Sequence, residues 1–223
     1  MARVVVYSAN LGGYDTVQPT TVPGRFVLFT DGDAPPGWER FPVKPEDDPR
    51  RQARYYKLLP HLCYFAQEAQ FSIWLDASTA LKVPPEMVVR EWLGDGFDIA
   101  LFRHPARDCA YAEGRVCIHK GKDRPEVIQA QLDRYAASRF PEHFGLGETP
   151  ILVRRNTQRV AQFCAAWWQE VKNGSLRDQL SFDFVRWQQG GRVGVNLVDG
   201  GEGWRKRKHP WFEFTPHVRR EAG

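Results

Sequence analysis

The apolar run Phe71-Ser72-Ile73-Trp74-Leu75 stops at Asp76, and Ser78 follows two residues later. Its β-branched and aromatic content predicts a buried strand, so Asp-x-Ser places a carboxylate and a hydroxyl, two hard oxygen ligands, at the strand's carboxyl end. Ligands bind at that edge of an open α/β sheet. Asp76 could there hold a divalent cation against a diphosphate, which is the chemistry of a sugar-nucleotide enzyme. Its structural alternative is the cap of the next turn.

Other polar residues follow predicted strands in the same way. After a first strand comes Ala9-Asn10-Leu11-Gly12-Gly13-Tyr14-Asp15, where small residues admit a ligand to the backbone and Tyr14 could stack on a base. It is neither Gly-x-Gly-x-x-Gly nor a P-loop, which argues against redox and kinase chemistry. The second strand ends at Thr30-Asp31, where an acidic side chain can accept from ribose hydroxyls or simply serve a turn. Arg54 and Lys57 lie three apart on a predicted helix, close enough to act together on a phosphate, or else part of a charged exposed face. His104 to Glu113 follows another strand, Gly145-Leu146-Gly147-Glu148 precedes one, and Asp178 opens a helix, where N-capping is its structural role.

The elements that must position these groups alternate. Strands are predicted over 4–8, 25–30, 71–75, 98–102, 149–153 and 193–197, with a short one near 38–41. Helices are predicted over 50–59 with a resumption over 61–67 beyond Pro60, then from Pro84-Pro85 to Leu93, and over 126–139, 160–171 and 178–188. Such alternation implies a single α/β domain across residues 1–223 with a largely parallel sheet flanked by helices. With 223 residues, 42% hydrophobic and 26% charged, the chain can bury a full core, and no apolar run approaches a membrane span of about 20 residues. The amino terminus enters strand-like sequence directly, so a cytoplasmic site is expected.

Cys63, Cys109, Cys117 and Cys164 lack zinc spacing and are expected as reduced core thiols. The net charge of +4 is unevenly placed: Arg205-Lys206-Arg207-Lys208-His209, then Arg219-Arg220, make a basic segment within 203–223. Such a run is a solvated face or a receiver of phosphates, nucleic acid or an anionic membrane surface.

Five motifs occur in one order: Leu11-Gly12-Gly13-Tyr14-Asp15, Val27-Leu28-Phe29-Thr30-Asp31, Arg54-Tyr55-Tyr56-Lys57-Leu58-Leu59-Pro60-His61, Ile73-Trp74-Leu75-Asp76-Ala77-Ser78 and Arg177-Asp178-Gln179-Leu180-Ser181-Phe182. From Tyr7 to Phe184 the chain resembles the glycosyltransferase-like family of the plant TOD1 and mucilage-related proteins, some of which transfer galacturonic acid. The resemblance implies a GT-A-like (Rossmann-like) fold, a nucleotide-sugar donor of the uridine diphosphate kind, a glycan or other hydroxyl acceptor, and Mn²⁺ or Mg²⁺ bridging the diphosphate.

Carried over residue by residue, Asp76 and Ser78 match the Asp-x-Asp metal motif with its second carboxylate missing, and His209 resembles a late histidine that completes such a site. Arg205, Lys206 and Lys208 would neutralise the leaving diphosphate. His104 and its neighbours would line the donor-sugar or acceptor pocket. Asp178 and Gln179 match an Asp-Gln pair beside the reacting sugar in retaining relatives, which favours retention; Glu113, Glu148 or Asp178 would be the base of an inverting enzyme. Two other classes stand beside this expectation. One is a non-catalytic polysaccharide or nucleic-acid binding module, disfavoured because Trp74, Trp92, Trp167 and Trp168 fall at packed positions, so no nucleic-acid partner is expected. The other is a nucleotidyltransferase on a related fold.

Overall fold

A computed structural model describes residues 3–216. Strands β1 (Val4–Asn10), β2 (Arg25–Thr30), β3 (Glu39–Pro42), β4 (Phe71–Leu75), β6 (Ile99–Arg103), β7 (Gly147–Arg155) and β8 (Val195–Val198) form a seven-stranded sheet in the order β3-β2-β1-β4-β7-β6-β8. All run parallel except β7, which lies antiparallel between β4 and β6. The short strands β5 (Thr79–Leu81) and β9 (Phe212–Phe214) pair antiparallel in a second sheet.

The central strands are buried on both faces, which is why they read as continuous apolar runs rather than alternating ones. In β1, Val5, Tyr7 and Ala9 enter one core and Val4 and Val6 the other. Helices α1 (Pro49–Leu58), α3 (Ala110–His119), α4 (Pro125–Ala137), α5 (Gln158–Asn173) and α6 (Asp178–Gln188) cover the first face. Helix α2 (Pro85–Leu93) covers the other, joined by Trp204 and Phe212 from the C-terminal segment.

Most predicted elements form within two residues of their expected bounds, and four differences have physical causes. The stretch 61–67 does not resume a helix: Pro60 starts one 3₁₀ turn over Pro60–Leu62, and the chain then turns back toward β4. Helix α3 forms where no element was predicted, because Ala110, Tyr111, Gly114 and Cys117 bury a face with weak amphipathic contrast. Strands β5 and β9 are three residues each and stabilise one another only through long-range pairing. Strand β7 breaks the parallel pattern, a topology that its composition does not encode. The four cysteines are free and buried, and Trp74, Trp92 and Trp167 are core residues, while Trp168 is partly buried. Arg219 and Arg220 lie outside the described residues.

Candidate active site

The carboxyl ends of β1, β2, β4, β6 and β8 share one edge with the amino end of antiparallel β7. The backbone N–H of Asp76 donates to the carbonyl of Pro150 at 2.8 Å, which seats the end of β4 against the start of β7. This edge collects two ionic clusters.

The first is built on α1, β4 and α6. Asp48 starts α1 by accepting from the N–H groups of Arg50 and Arg51, with Pro49 at the first helical position. The helix then presents Arg54 and Lys57 on one face. Lys57 Nζ lies 3.1 Å from Asp76 Oδ1 and 2.7 Å from Asp178 Oδ2, while Arg54 Nε is 3.2 Å from Asp178 Oδ1. Trp74 Nε1 donates to Asp76 Oδ1 at 2.7 Å. The side chains of Lys57 and Asp178 are 1% and 4% exposed, whereas those of Asp76 and Arg54 are 29% and 23% exposed, so the cluster opens toward the edge through the latter pair. Burial pushes both carboxyls up, but the charges of Lys57 and Arg54 outweigh it and hold Asp178 and Asp76 below the ordinary aspartate range. Two cations thus keep two carboxylates ionised. Asp178 does not cap its helix: Arg177 occupies the cap position, and the carboxylate is spent on α1. Gln179, next on α6, is buried with its side-chain nitrogen unpartnered.

The second cluster joins β6, α3, β7 and the C-terminal segment. His104 Nδ1 accepts from the backbone N–H groups of Ala106 and Arg107 at 3.1 and 2.9 Å, and Arg107 Nη2 stands 2.9 Å from Nε2. Both ring nitrogens face N–H groups. Burial first, then the charge of Arg107, lowers the imidazole pKa to about 4, so His104 is a neutral clamp on its turn. Arg107 Nε pairs with Glu113 at 2.5 Å, and Arg207 reaches Glu148 at 3.2 Å. Burial raises the Glu148 carboxyl above its ordinary value although Arg207 opposes it. Arg207 itself adopts a left-handed backbone, φ 54°, and its guanidinium lies over the Trp204 and Phe214 rings.

The segment from Gly200 to Phe214 crosses the edge between β8 and β5 and lines an open cavity of about 550 Å³ with Lys82, Arg207, Lys208 and His209. Arg205, Lys206, Arg207 and Lys208 are exposed there. His209 packs among Phe102, Trp211 and Phe212, and its Nδ1 accepts from the Trp211 N–H at 3.2 Å. The neutral ring in that arrangement carries its proton on Nε2, which then has no lone pair for a metal. Among the described residues no three His, Cys, Asp or Glu side chains form a metal-ligand group. Asp76 Oδ1 is taken by Lys57 and Trp74, which leaves Oδ2 as the anionic oxygen facing the edge. Ser78 is buried at the start of the following turn, with its carbonyl accepting from Thr215. This set suits a hard cation only in the manner of Mg²⁺ sites that take one or two carboxylates and draw their other ligands from a substrate phosphate.

At the far side of the edge, Asn10 and Asp15 hold each other through Asn10 Nδ2 to the Asp15 carbonyl, 2.8 Å, and the Asp15 N–H to Asn10 Oδ1, 3.2 Å. Asp31 is exposed, and its two oxygens accept from the Gly12 N–H at 3.2 and 3.0 Å. Gly12 has φ +67°, a conformation that suits glycine. Ala9 is buried beneath this loop and Tyr14 is 54% exposed on it. Arg54 feels the Tyr14 hydroxyl electrostatically, which places the loop beside the first cluster.

Two residues escaped the sequence reading. Arg154 and Tyr7, both fully buried, grip the Lys57 carbonyl from beneath. The available signal was weak: Arg154 directly follows the apolar run Ile151-Leu152-Val153 of β7.

A mostly parallel α/β sheet with charged side chains gathered at its carboxyl edge is the arrangement in which open α/β domains bind their ligands. The chain belongs to the TOD1/MUCI70 glycosyltransferase-like family, whose domain model matches residues 41–200. That span contains Arg54, Lys57, Asp76, Ser78, His104, Glu148, Asp178 and Gln179, and leaves out the first loop, Asp31 and His209. The chain is 27% identical over 151 residues to an Arabidopsis thaliana protein described as "Probable hexosyltransferase MUCI70", covering 64% of this chain and 26% of that protein. It is 25% identical over 141 residues to "Alkaline ceramidase TOD1" of the same plant, covering 59% of this chain and 30% of that one. The alignments therefore span about a quarter to a third of these relatives. The apo crystal structure of mouse xyloside xylosyltransferase 1 superposes with a TM-score of 0.46 at 9% identity, covering 95% of this chain and 96% of that one.

Proposed function

We propose that this domain is a glycosyltransferase that moves a sugar from a nucleoside-diphosphate donor, of the uridine kind, to a hydroxyl of a glycan acceptor, with retention of anomeric configuration. The observation that carries the reading is the junction of Lys57, Arg54, Asp76 and Asp178, where residues from three separate motifs of the family meet at the ligand-binding edge of the sheet.

In this reading the partly exposed Arg54 meets the donor phosphates, and the basic rim of Lys82, Arg205 and Lys208 receives the diphosphate. Asp178 stays ionised and offers negative charge to the anomeric carbon as positive charge develops there. Gln179 supplies an amide donor to the sugar. Ala9, Asn10, Tyr14 and Asp31 take the nucleoside end, and His104 shapes the sugar pocket without changing charge. The acceptor oxygen bonds to the anomeric carbon as the bond to diphosphate breaks; the diphosphate keeps the electron pair and takes the acceptor's proton. Asp76 Oδ2, with Ser78 beside it, would hold Mn²⁺ or Mg²⁺, which when bound neutralises diphosphate charge.

The test is a thermal-shift screen of nucleotide sugars with and without Mn²⁺, since a ligand that binds only the folded state raises the melting temperature. One donor should stabilise the protein and be consumed with an acceptor, and Asp76→Ala should abolish turnover while the fold survives. Turnover unchanged in that variant removes Asp76 from the site. Consumption of a nucleoside triphosphate instead indicates a nucleotidyltransferase. Hydrolysis of ceramide by the same protein would favour the activity named for the second relative.

A further inference from the structure

We infer that Arg154 is a positioning residue that fixes Lys57 in the first cluster, acting with Tyr7 through the Lys57 carbonyl.

Arg154 is the next-to-last residue of β7 and has no exposed surface. Among the described residues no carboxylate lies within ion-pair distance of it. Its Nη1 donates instead to the Lys57 carbonyl at 2.8 Å and its Nη2 to the Tyr7 hydroxyl, and that hydroxyl donates to the same carbonyl at 3.0 Å. The guanidinium also lies 5.7 Å from the Tyr7 ring centre. Burial raises the Tyr7 phenol far above its usual range, so it stays a hydroxyl and a donor.

The Lys57 carbonyl is one of the last in α1, where acceptors are left unmatched, and its helical partner, the N–H of His61, lies beyond the helix in the 3₁₀ turn over Pro60–Leu62. Water or one neutral donor would satisfy such a group. A guanidinium buried without a counter-charge is a costly way to do it, and the cost is understandable if the position of that one residue matters. Lys57 is held at both ends: its carbonyl by β1 and β7, its ammonium by Asp76 after β4 and Asp178 on α6. The carbonyl grip decides where Nζ can reach, and with it whether one ammonium spans Asp76 and Asp178 together. Cationic charge at the C-terminal end of α1 also complements the helix dipole.

The inference rests on the transferase reading for its purpose, but its test needs no donor. The test is a double-mutant cycle read from urea unfolding midpoints at neutral pH. If Arg154 acts by placing Lys57, Arg154→Met should lower the midpoint clearly in the wild type and by much less where Lys57→Met has already removed the ammonium. Tyr7→Phe should behave the same way with a smaller shift, and Arg154→Lys should restore part of the wild-type midpoint. Equal losses with and without the Lys57 ammonium overturn the inference, because a guanidinium that merely satisfies a carbonyl is indifferent to the side chain beyond it. If Arg154→Met does not fold, the Tyr7→Phe cycle decides by the same criterion. Absence of transfer with any nucleotide sugar would defeat the proposed function and leave this coupling as it is.

Discussion

The two ionic clusters lie along one sheet edge and use the same side-chain types, yet they treat charge in opposite ways. In the Lys57 cluster burial is outweighed by two cations, and Asp76 and Asp178 are held below their ordinary range. In the His104 cluster burial prevails: Glu148 is raised in spite of Arg207, and His104 stays neutral to about pH 4. The cause is where the cations stand. Lys57 is 1% exposed and in contact with both carboxylates, whereas Arg207 is 46% exposed and screened by water. One cluster is a permanent charge array, suited to stabilising charge that develops in a reaction. The other contains a carboxyl closer to accepting a proton. Paired environments that push similar groups apart are a signature of divided roles in a reactive site.

Removal of the central carboxylate should break this contrast most strongly. Asp178→Ala leaves Lys57 and Arg54 facing a void and should cost about 3 to 5 kcal/mol of folding stability, the range for breaking a buried pair. Urea unfolding measures it. A loss below about 1 kcal/mol would mean that water enters the cluster and that its charges are not fixed.

Lys57→Met should come next, with a pH signature. Asp178 and Asp76 have depressed folded pKa values, so their contribution is present above the unfolded aspartate pKa and is lost as pH falls through the folded values. Without Lys57 the depression shrinks. The stability gap between wild type and variant should therefore be widest at neutral pH and narrow on acidification, as read from urea midpoints across that range. A gap independent of pH would assign the loss to packing instead.

Glu148→Gln should act in the opposite direction and weakly. A raised carboxyl contributes stability below its unfolded pKa and loses it as pH rises through the folded value. Relative to wild type, the glutamine variant should therefore gain as pH rises, by about 1 kcal/mol or less because its partner Arg207 is largely exposed. Stability that falls with pH relative to wild type would show the Arg207 pair to be the stronger influence.

The contrast was only half legible in the sequence. Asp76 and Asp178 stand out because one follows an apolar strand and the other opens a helix, and Arg54 and Lys57 because their spacing puts two cations on one helix face. What could not be read was their pairing. Nothing in the spacing says that Asp178 turns to α1 rather than capping α6, because both uses place an aspartate at the same helix start. Arg207 was hidden inside a basic run, where one residue held by Glu148 looks like its exposed neighbours. Arg154 was hidden because a cation just after the apolar Ile151-Leu152-Val153 looks like the exposed end of a strand and says nothing of what it meets. Strands β5 and β9 are too short for any local signal and exist by pairing across more than a hundred residues.

The smallest effect tests whether the first loop belongs to the same site as the Lys57 cluster, since the matched family span begins only at residue 41. Asp31 has two candidate tasks, holding the Gly12 N–H and accepting from a ribose. Asp31→Asn keeps one carbonyl oxygen for Gly12, and the site is exposed, so stability should stay within about 0.5 kcal/mol of wild type. It removes the charged acceptor, and a hydroxyl that bonded to it should bind more weakly by about 1 kcal/mol, about fivefold in the Kd of uridine diphosphate by calorimetry. Weaker binding at unchanged stability places the ribose on Asp31 and joins the loop to the ionised cluster across the edge. Unchanged binding and stability together reduce Asp31 to a turn residue, and the nucleoside must then lie nearer the basic C-terminal segment, on the side of Glu148 and Arg207.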